Sequence, residues 1–402
     1  MIGNAAIKAM MTCNRFCKIL QYFHISDRAA EPRRGSPGYD RLYKVREVMD
    51  TLMVTFKRAY TLHKQVAVDE AMIKFSGRLS FRQYMPQKPI KRGMKVWMLC
   101  DSVSGYLFNF DIYLGKQERT HHGLGHDVVM TLTEPIYHSC RHVYFDNFFT
   151  GLPLLNSLLD VSLYGCGTVR VNRIGFPKEL SKPKDIKNRG DSKILQQGQI
   201  TASVWRDKKN VHHLSALSDP TDMRQATRRV HGVEVPVTQP HCVWAYNKFM
   251  GGVDLHDQFR STYRVGRDGK KWWRYLFNFM LNCAIVNASI MYKHSSQRNT
   301  KKRRFTNLDM RLEFISELAG GFAKKPRSPL DSISPSRVSY DNVGEHKNVR
   351  IEGRGKTTCK YHARFLKTAY VPKIVFGCNI CNVHLCRDCH VPYHHAVLMK
   401  ER

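Results

Sequence analysis

The chain has 402 residues, 42% hydrophobic and 11% aromatic, so most of it should fold around a large core in two or three domains. Its 65 Lys and Arg against 33 Asp and Glu leave a formal net charge of +32, which disfavours a basic or neutral partner and favours a polyanion, nucleic acid first. The opening "MIGNAAIKAMMTCNRFCKIL" has no clean apolar core with a small-residue cleavage site, so it does not read as a secretory signal.

Residues 1–65 read as a helical N-terminal segment. "DRLYKVREVMDTLMVTFKRAY" has apolar positions three and four apart, and "DRAAEPRRGSPGYD" before it is a Pro/Gly loop. From Val66 the period changes. "MKVWMLCD" and "YLFNFDIYLG", split by "SVSG", predict a β-hairpin, and "RHVYFD" is a third strand. A helix over "LPLLNSLLDVS" and a strand over "YGCGTVRV" follow, so residues 66–171 read as the first part of an α/β domain with a mixed sheet. Residues 172–243 are Pro- and Lys-rich and hold what looks like a separate hairpin, "GQITASVWRDKKNVHHLSAL"; they read as an insertion. Residues 244–318 resume the domain. Their apolar run Tyr275–Tyr292 is interrupted by Asn278, Asn282 and Asn287, which suits a buried core helix better than a membrane span. No membrane partner is expected. Residues 319–352 are Ser-, Pro- and charge-rich and read as a flexible linker. Residues 353–402 hold five of the twelve cysteines.

The acids carry the chemistry. Asp101 and Asp146 each follow an apolar run and should emerge at a strand end, where a carboxylate needs a partner. Asp254 and Asp257, at i and i+3 after a double glycine that turns the chain, share one helix face. A helix packed across the strand ends would gather these carboxylates around Mg²⁺, two ions about 4 Å apart serving phosphoryl transfer. Taken singly, each acid is an ordinary turn former, N-cap or helix-start residue.

The wording around the acids decides between these. "VAVDEAMIKFSGRLSFRQYMPQKPIKRGMKVWMLCDSVSGY", "VYFDNFFTGLPLL", "GTVRVNRIGFPKEL" and "YNKFMGGVDLHDQF" occur in order, and together they resemble the piggyBac transposase family from about Asn14 to the C-terminus. The resemblance implies an RNase H-like catalytic domain interrupted by an insertion domain, with a DDD set carried over as Asp101, Asp146 and Asp254. Asp257 is the nearby fourth carboxylate, either a ligand or a helix-start acid. It implies Mg²⁺-dependent cut-and-paste transposition at TTAA targets on double-stranded DNA, by a homodimer in the nucleus. A domesticated DNA- or chromatin-binding protein without transposition activity is the alternative. Family members usually extend further at the N-terminus, so a truncated dimerisation and DNA-binding region is expected here.

Lys88, Lys91, Arg92 and Lys95 precede the strand that ends at Asp101 and suit a phosphate backbone. Lys270, Lys271, Trp272 and Arg274 precede the long apolar helix, where a tryptophan among cations suits an unpaired base; Trp273 is as readily a core residue. Lys301, Lys302, Arg303 and Arg304 read as an import signal, a phosphate contact or a solvated run.

In the tail, the C-x₂-C pairs Cys378/Cys381 and Cys386/Cys389, with Cys359 and His362 upstream and His390 and His394 downstream, predict two interleaved structural Zn²⁺ ions. His362 stands where the family generally has Cys. The eighth ligand stays open between His390, His395 and His384.

Overall fold

An acid pair interrupts the apolar run at residues 65–74, and the run still folds as a strand, β1 (Gln65–Lys74), because it is flanked by partners on both edges. The sequence reading passes over this strand, since Asp69 and Glu70 break its apolar pattern. In the computed structural model, which describes residues 10–115, 122–217, 219–230, 232–267, 269–295, 306–319, 346–351, 356–366 and 371–398, β1 is the middle of a large mixed sheet.

The expected hairpin is β3 (Arg92–Asp101) and β4 (Leu107–Ile112), with β2 (Gln83–Tyr84) extending the start of β3. β3 pairs antiparallel with β1, from Val66 opposite Asp101 to Lys74 opposite Gly93. On its other edge β1 runs parallel to β5 (His142–Phe145), and β5 runs parallel to β6 (Tyr164–Thr168). Parallel neighbours need crossovers. The helices α3 (Leu124–Thr133) and α4 (Leu152–Asp160) supply them; the buried Leu154, Leu155 and Leu158 of α4 each contribute about 2 kcal/mol of burial. Three antiparallel strands followed by two parallel ones form the RNase H-like arrangement.

N-terminal to the sheet lie α1 (Cys13–Tyr22), capped by the Thr12 hydroxyl, and α2 (Arg46–Ala59), which buries Met49 and Phe56 two turns apart. The insertion does not stand apart as a separate hairpin. Its meander β7 (Ser192–Gln197), β8 (Ile200–Arg206) and β9 (Asn210–Ser215) joins the main sheet where β9 pairs antiparallel with β6. Only β10 (Met223–Val230) and β11 (Val233–Pro240) form a ribbon of their own.

The chain then returns through α5 (His241–Phe249), α6 (Gly252–Thr262) and α7 (Trp272–His294). Among the described residues α7 is the helix long and apolar enough to cross a membrane, and half of its apolar window is buried inside the protein. Two of its asparagines pair with backbone groups outside the helix. The Asn287 side chain pairs with both Leu107 N (2.9 Å) and Leu107 O (2.8 Å), and Asn282 does the same with Val265. A last helix, α8 (Asn307–Leu318), opens with a capping box between Thr306 and Asp309.

Residues Lys325–Arg402 form a second compact unit. Its short strands β12 (Asn348–Arg350), β13 (Thr357–Thr358), β14 (Lys373–Ile374) and β15 (Phe376–Cys378) pair as β12–β15 and β13–β14, and α9 (Arg387–Leu398) follows. The linker read over 319–352 is too long, because 346–351 belong to this folded unit. Lys301, Lys302, Arg303 and Arg304 lie outside the described residues.

Candidate functional site

Parallel register places the second acid beside one the sequence reading did not choose. Val68 of β1 is level with Phe145 of β5, so the next residues, Asp69 and Asp146, are level too. Asp146 leaves β5 into a turn in which its carboxylate accepts from Phe148 N at 2.8 Å and its carbonyl accepts from the Thr150 hydroxyl at 2.8 Å. That turn pins the carboxyl group at the strand end. Burial pushes the Asp69 carboxyl up to about 7, and the neighbouring charge of Glu70 adds to it, with a smaller push from Asp146. Burial also raises Asp146, against its hydrogen bond from Phe148 N.

The third acid arrives on α6. Gly252 at its start packs so closely on the sheet that an added Cβ would lie 3.0 Å from Asp101 O and 3.3 Å from Ala67 Cβ. Neither Gly251 nor Gly252 adopts a positive φ. Gly252 therefore serves close approach of helix to strand, whereas Gly251 has no atom within 4 Å of an added Cβ, and neither makes the sharp turn expected from sequence. Asp254, two residues on from Gly252, is exposed, and its charge acts on Lys88 together with those of Asp69 and Glu70.

Asp101 is a correction. It is fully buried at the opposite end of the β1–β3 pair, level with Val66, three residues or about 10 Å along the strand from Asp69. Both its oxygens are taken: Val103 N (2.9 Å), Ser104 N (2.8 Å) and the Ser104 hydroxyl (3.0 Å) donate to one, and His63 N (2.7 Å) donates to the other. The His63 ring nitrogen Nδ1 lies 2.9 Å from that second oxygen. Asp101 fastens the β3–β4 turn to the entry of β1, and the residue that the register sets level with Asp146 is Asp69. An acid in mid-strand with apolar residues on both sides is costlier than one at a strand end, and that was the signal for Asp69. Asp257 is not a helix-start acid: it lies midway along α6, paired with Arg260 one turn on at 2.9 Å, and the Arg260 guanidinium lies 4.6 Å from the Phe279 ring centroid.

Asp69, Asp146 and Asp254 offer hard oxygen donors. Burial raises the carboxyls of Asp69 and Asp146, and a divalent cation such as Mg²⁺ would offset the cost of ionising them there.

The expected DNA-contacting cations divide. Lys91, Arg92, Lys270 and Lys271 are exposed. Lys88 is ion-paired to Glu70 at 3.1 Å. Lys95 is buried, its Nζ 3.7 Å from the Trp97 ring centroid, so it is not free to meet a phosphate backbone. Arg274 donates to the Leu20 carbonyl and lies over Trp273, tying α7 to α1, so it too is structural. Trp272 is half-buried, edge-on to Phe81, and with Lys271, Trp273, Tyr22, Phe23 and Lys44 it lines a cavity of about 530 Å³. Trp273 is buried, packed on Phe23.

The tail holds two four-ligand groups, Cys359/His362/Cys386/Cys389 and His346/Cys378/Cys381/His394, interleaved along the chain. A tetrahedral zinc ion with Zn–S near 2.3 Å and Zn–N near 2.1 Å has S···S edges of about 3.8 Å and S···N edges of about 3.6 Å. Here Cys359 Sγ lies 3.8 Å from Cys386 Sγ, and His362 Nδ1 lies 3.6 Å from Cys386 Sγ and 3.1 Å from Cys389 Sγ. In the second group His346 Nδ1 lies 3.2 Å from Cys378 Sγ, and His394 Nε2 lies 3.5 Å from Cys381 Sγ. The donor set and spacing fit zinc. His390 is not in either group. Its carbonyl lies 2.7 Å from His394 Nδ1, so that nitrogen carries the proton and Nε2 is left to ligate. The missing ligand is His346, more than a dozen residues upstream of the first cysteine of the tail, where no local spacing could reveal it.

Comparison with known proteins agrees with this architecture. A family model described as "Transposase IS4" matches residues 1–289. Among curated proteins of Homo sapiens, PiggyBac transposable element-derived protein 3 is 26% identical over 98% of this chain, and protein 2 of that series is 27% identical over 68%. The chain spans 65% and 47% of their lengths, respectively. A solved piggyBac transposase, in a synaptic complex with hairpin DNA, matches with a TM-score of 0.69 and 28% identity, over 83% of this chain and 70% of that one. The fold and the family model define a transposase-type chain. It belongs to the piggyBac transposase family.

Proposed function

We propose that the chain carries out metal-dependent DNA strand cleavage and transfer of the cut-and-paste type at TTAA targets. The observation that carries this reading is the register of β1 and β5, with Asp69 and Asp146 side by side and α6 packed over the same strand. Asp69, Asp146 and Asp254 would hold Mg²⁺, and the bound metal supplies Lewis-acid stabilisation of the attacking and leaving oxygens of phosphoryl transfer. The protein's own part is to hold these carboxylates on rigid elements, Asp69 within β1, Asp146 at the end of β5 and Asp254 on α6. DNA as substrate is supported by the net charge of +32 and by the similar solved transposase, which is itself a DNA complex. Lys91, Arg92, Lys270 and Lys271 are the exposed cations proposed to meet its phosphates. Two structural Zn²⁺ ions in the tail, a homodimeric working form and a nuclear location complete the proposal.

The test is nicking of a TTAA-flanked DNA end by the purified full chain with Mg²⁺. Cleavage should vanish in Asp69→Asn and Asp146→Asn and persist in Asp101→Asn at temperatures where that variant is folded. DNA binding with no cleavage by the unaltered chain would overturn the enzymatic reading in favour of a transposase-derived DNA- or chromatin-binding protein.

A further inference from the structure

Lys88 and Lys95 both reach Glu70, whose two oxygens lie 3.1 Å from Lys88 Nζ and 3.8 Å from Lys95 Nζ. The charges of Asp69 and Asp146 also act on both lysines, and that of Asp254 acts on Lys88. The two lysines are not equivalent. Lys95 is fixed: its Nζ sits 3.7 Å from the Trp97 centroid and 5.0 Å from the Phe148 centroid, 3.8 Å from Glu70 Oε2. Those two rings stack at 5.6 Å and wall it in.

Lys88 has room to move. It comes from the turn between β2 and β3, which is held by its own backbone bonds, Met85 N to Lys91 O at 2.8 Å and Lys88 N to Met85 O at 3.2 Å. Its side chain is 35% exposed and donates to Glu70 Oε1 at 3.1 Å. Burial works against the ammonium, but the charges of Asp69 and Glu70, and more weakly Asp254, outweigh it and carry its pKa above the usual lysine value. Glu70 thus anchors a flexible cation beside the three acids without belonging to them.

We propose that Lys88 is a tethered counter-ion of the acid group, which offsets the carboxylates while no metal is bound and turns out to the DNA phosphate when a divalent cation replaces it. This rests on the metal-binding reading of Asp69, Asp146 and Asp254. A lysine and a divalent ion in the same negative field compete, because each weakens the attraction felt by the other. A lysine serving only as a phosphate contact would weaken DNA binding and leave metal affinity alone. A counter-ion has two effects of opposite sign: its loss weakens DNA binding and tightens metal binding.

The experiment is calorimetric titration of Mg²⁺ into the zinc-loaded full chain without DNA, with DNA affinity measured in parallel by fluorescence anisotropy. Lys88→Met is expected to tighten Mg²⁺ binding on the order of tenfold and to weaken DNA binding. Lys88→Gln, a second neutral variant in case the first does not fold, has the same expectation. Lys88→Arg, which keeps the charge, should stay near the unaltered protein in both measurements. Asp69→Asn should weaken Mg²⁺ binding. If Asp69→Asn does so while both neutral Lys88 variants bind Mg²⁺ no more tightly than the unaltered chain, the counter-ion role is overturned and the metal site stands. Mg²⁺ binding indifferent to Asp69→Asn would overturn the metal site and the counter-ion role with it.

Discussion

A carboxylate's neighbours decide what it does, and Asp69 and Asp101 differ in almost nothing else. Asp101 is fully buried with both oxygens bonded to N–H and O–H donors, so removing its charge unpicks the β3–β4 turn. Asp101→Asn should therefore cost about 1–3 kcal/mol of stability, read as a lower denaturation midpoint. Asp69 has mostly other acids near it, so Asp69→Asn should leave the metal-free fold as stable as before or more so at neutral pH, in the same denaturation experiment. If the two variants exchanged these behaviours, the assignment of the acid group would be wrong. Gly252 is the other decisive residue. An alanine there would press its methyl group on the Asp101 carbonyl and the Ser102 backbone, with Ala67 close behind. The expected result is a loss of about 1–3 kcal/mol from overpacking, accompanied by reduced cleavage because α6 carries Asp254.

Among the elements, the tail unit depends most on something other than apolar packing. Its buried cluster is small, Cys359, Cys378, Leu385, Cys389 and Tyr393 with a few half-buried neighbours, and three of those five are candidate ligands. Zinc at the two candidate groups would supply the folding free energy that so small a core lacks. His346→Ala should lower the zinc content of the full chain from two ions to one by atomic absorption, whereas His390→Ala should retain two. The opposite result would return the eighth ligand to the downstream histidines. In the first unit, α7 shows how a helix with three interior asparagines remains a core helix. Each of Asn282 and Asn287 replaces the partner that an irregular or edge backbone group would otherwise lack, Val265 and Leu107.

At the scale of the whole molecule, two buried histidines link stability to pH. Burial lowers His213 and His256 from 6.5 to about 3. A depressed folded pKa means that the unfolded chain takes up the proton first. The stability these residues contribute is present above pH 6.5 and is lost as pH falls from there toward 3. His256, whose Nδ1 donates to the Gly105 carbonyl at 2.9 Å, lies on α6 beside the acid-bearing face. Melting curves of His256→Gln should fall less steeply with acidity across that window than those of the unaltered chain; parallel curves would contradict the burial argument. Net charge acts at the same scale, and any DNA binding should weaken steeply with added salt.

Much of this was legible in the residues themselves. Apolar runs and turn words marked β3, β4, β5, β6 and α7, because strands and helices buried in a core must be apolar with a fixed period. The clustered cysteines announced two metal groups, since metal ligation needs thiols at short spacing. What the sequence by itself determined was the class of each local segment and the family it belongs to. Which acids meet was decided only by tertiary structure: a parallel register between β1 and β5 set Asp69 beside Asp146 and left Asp101 three residues away. Likewise the chain's return through β12 brought His346 to Cys378 and Cys381, across more than thirty residues. Both are long-range pairings, and spacing along a chain carries no information about residues that meet only because strands lie side by side.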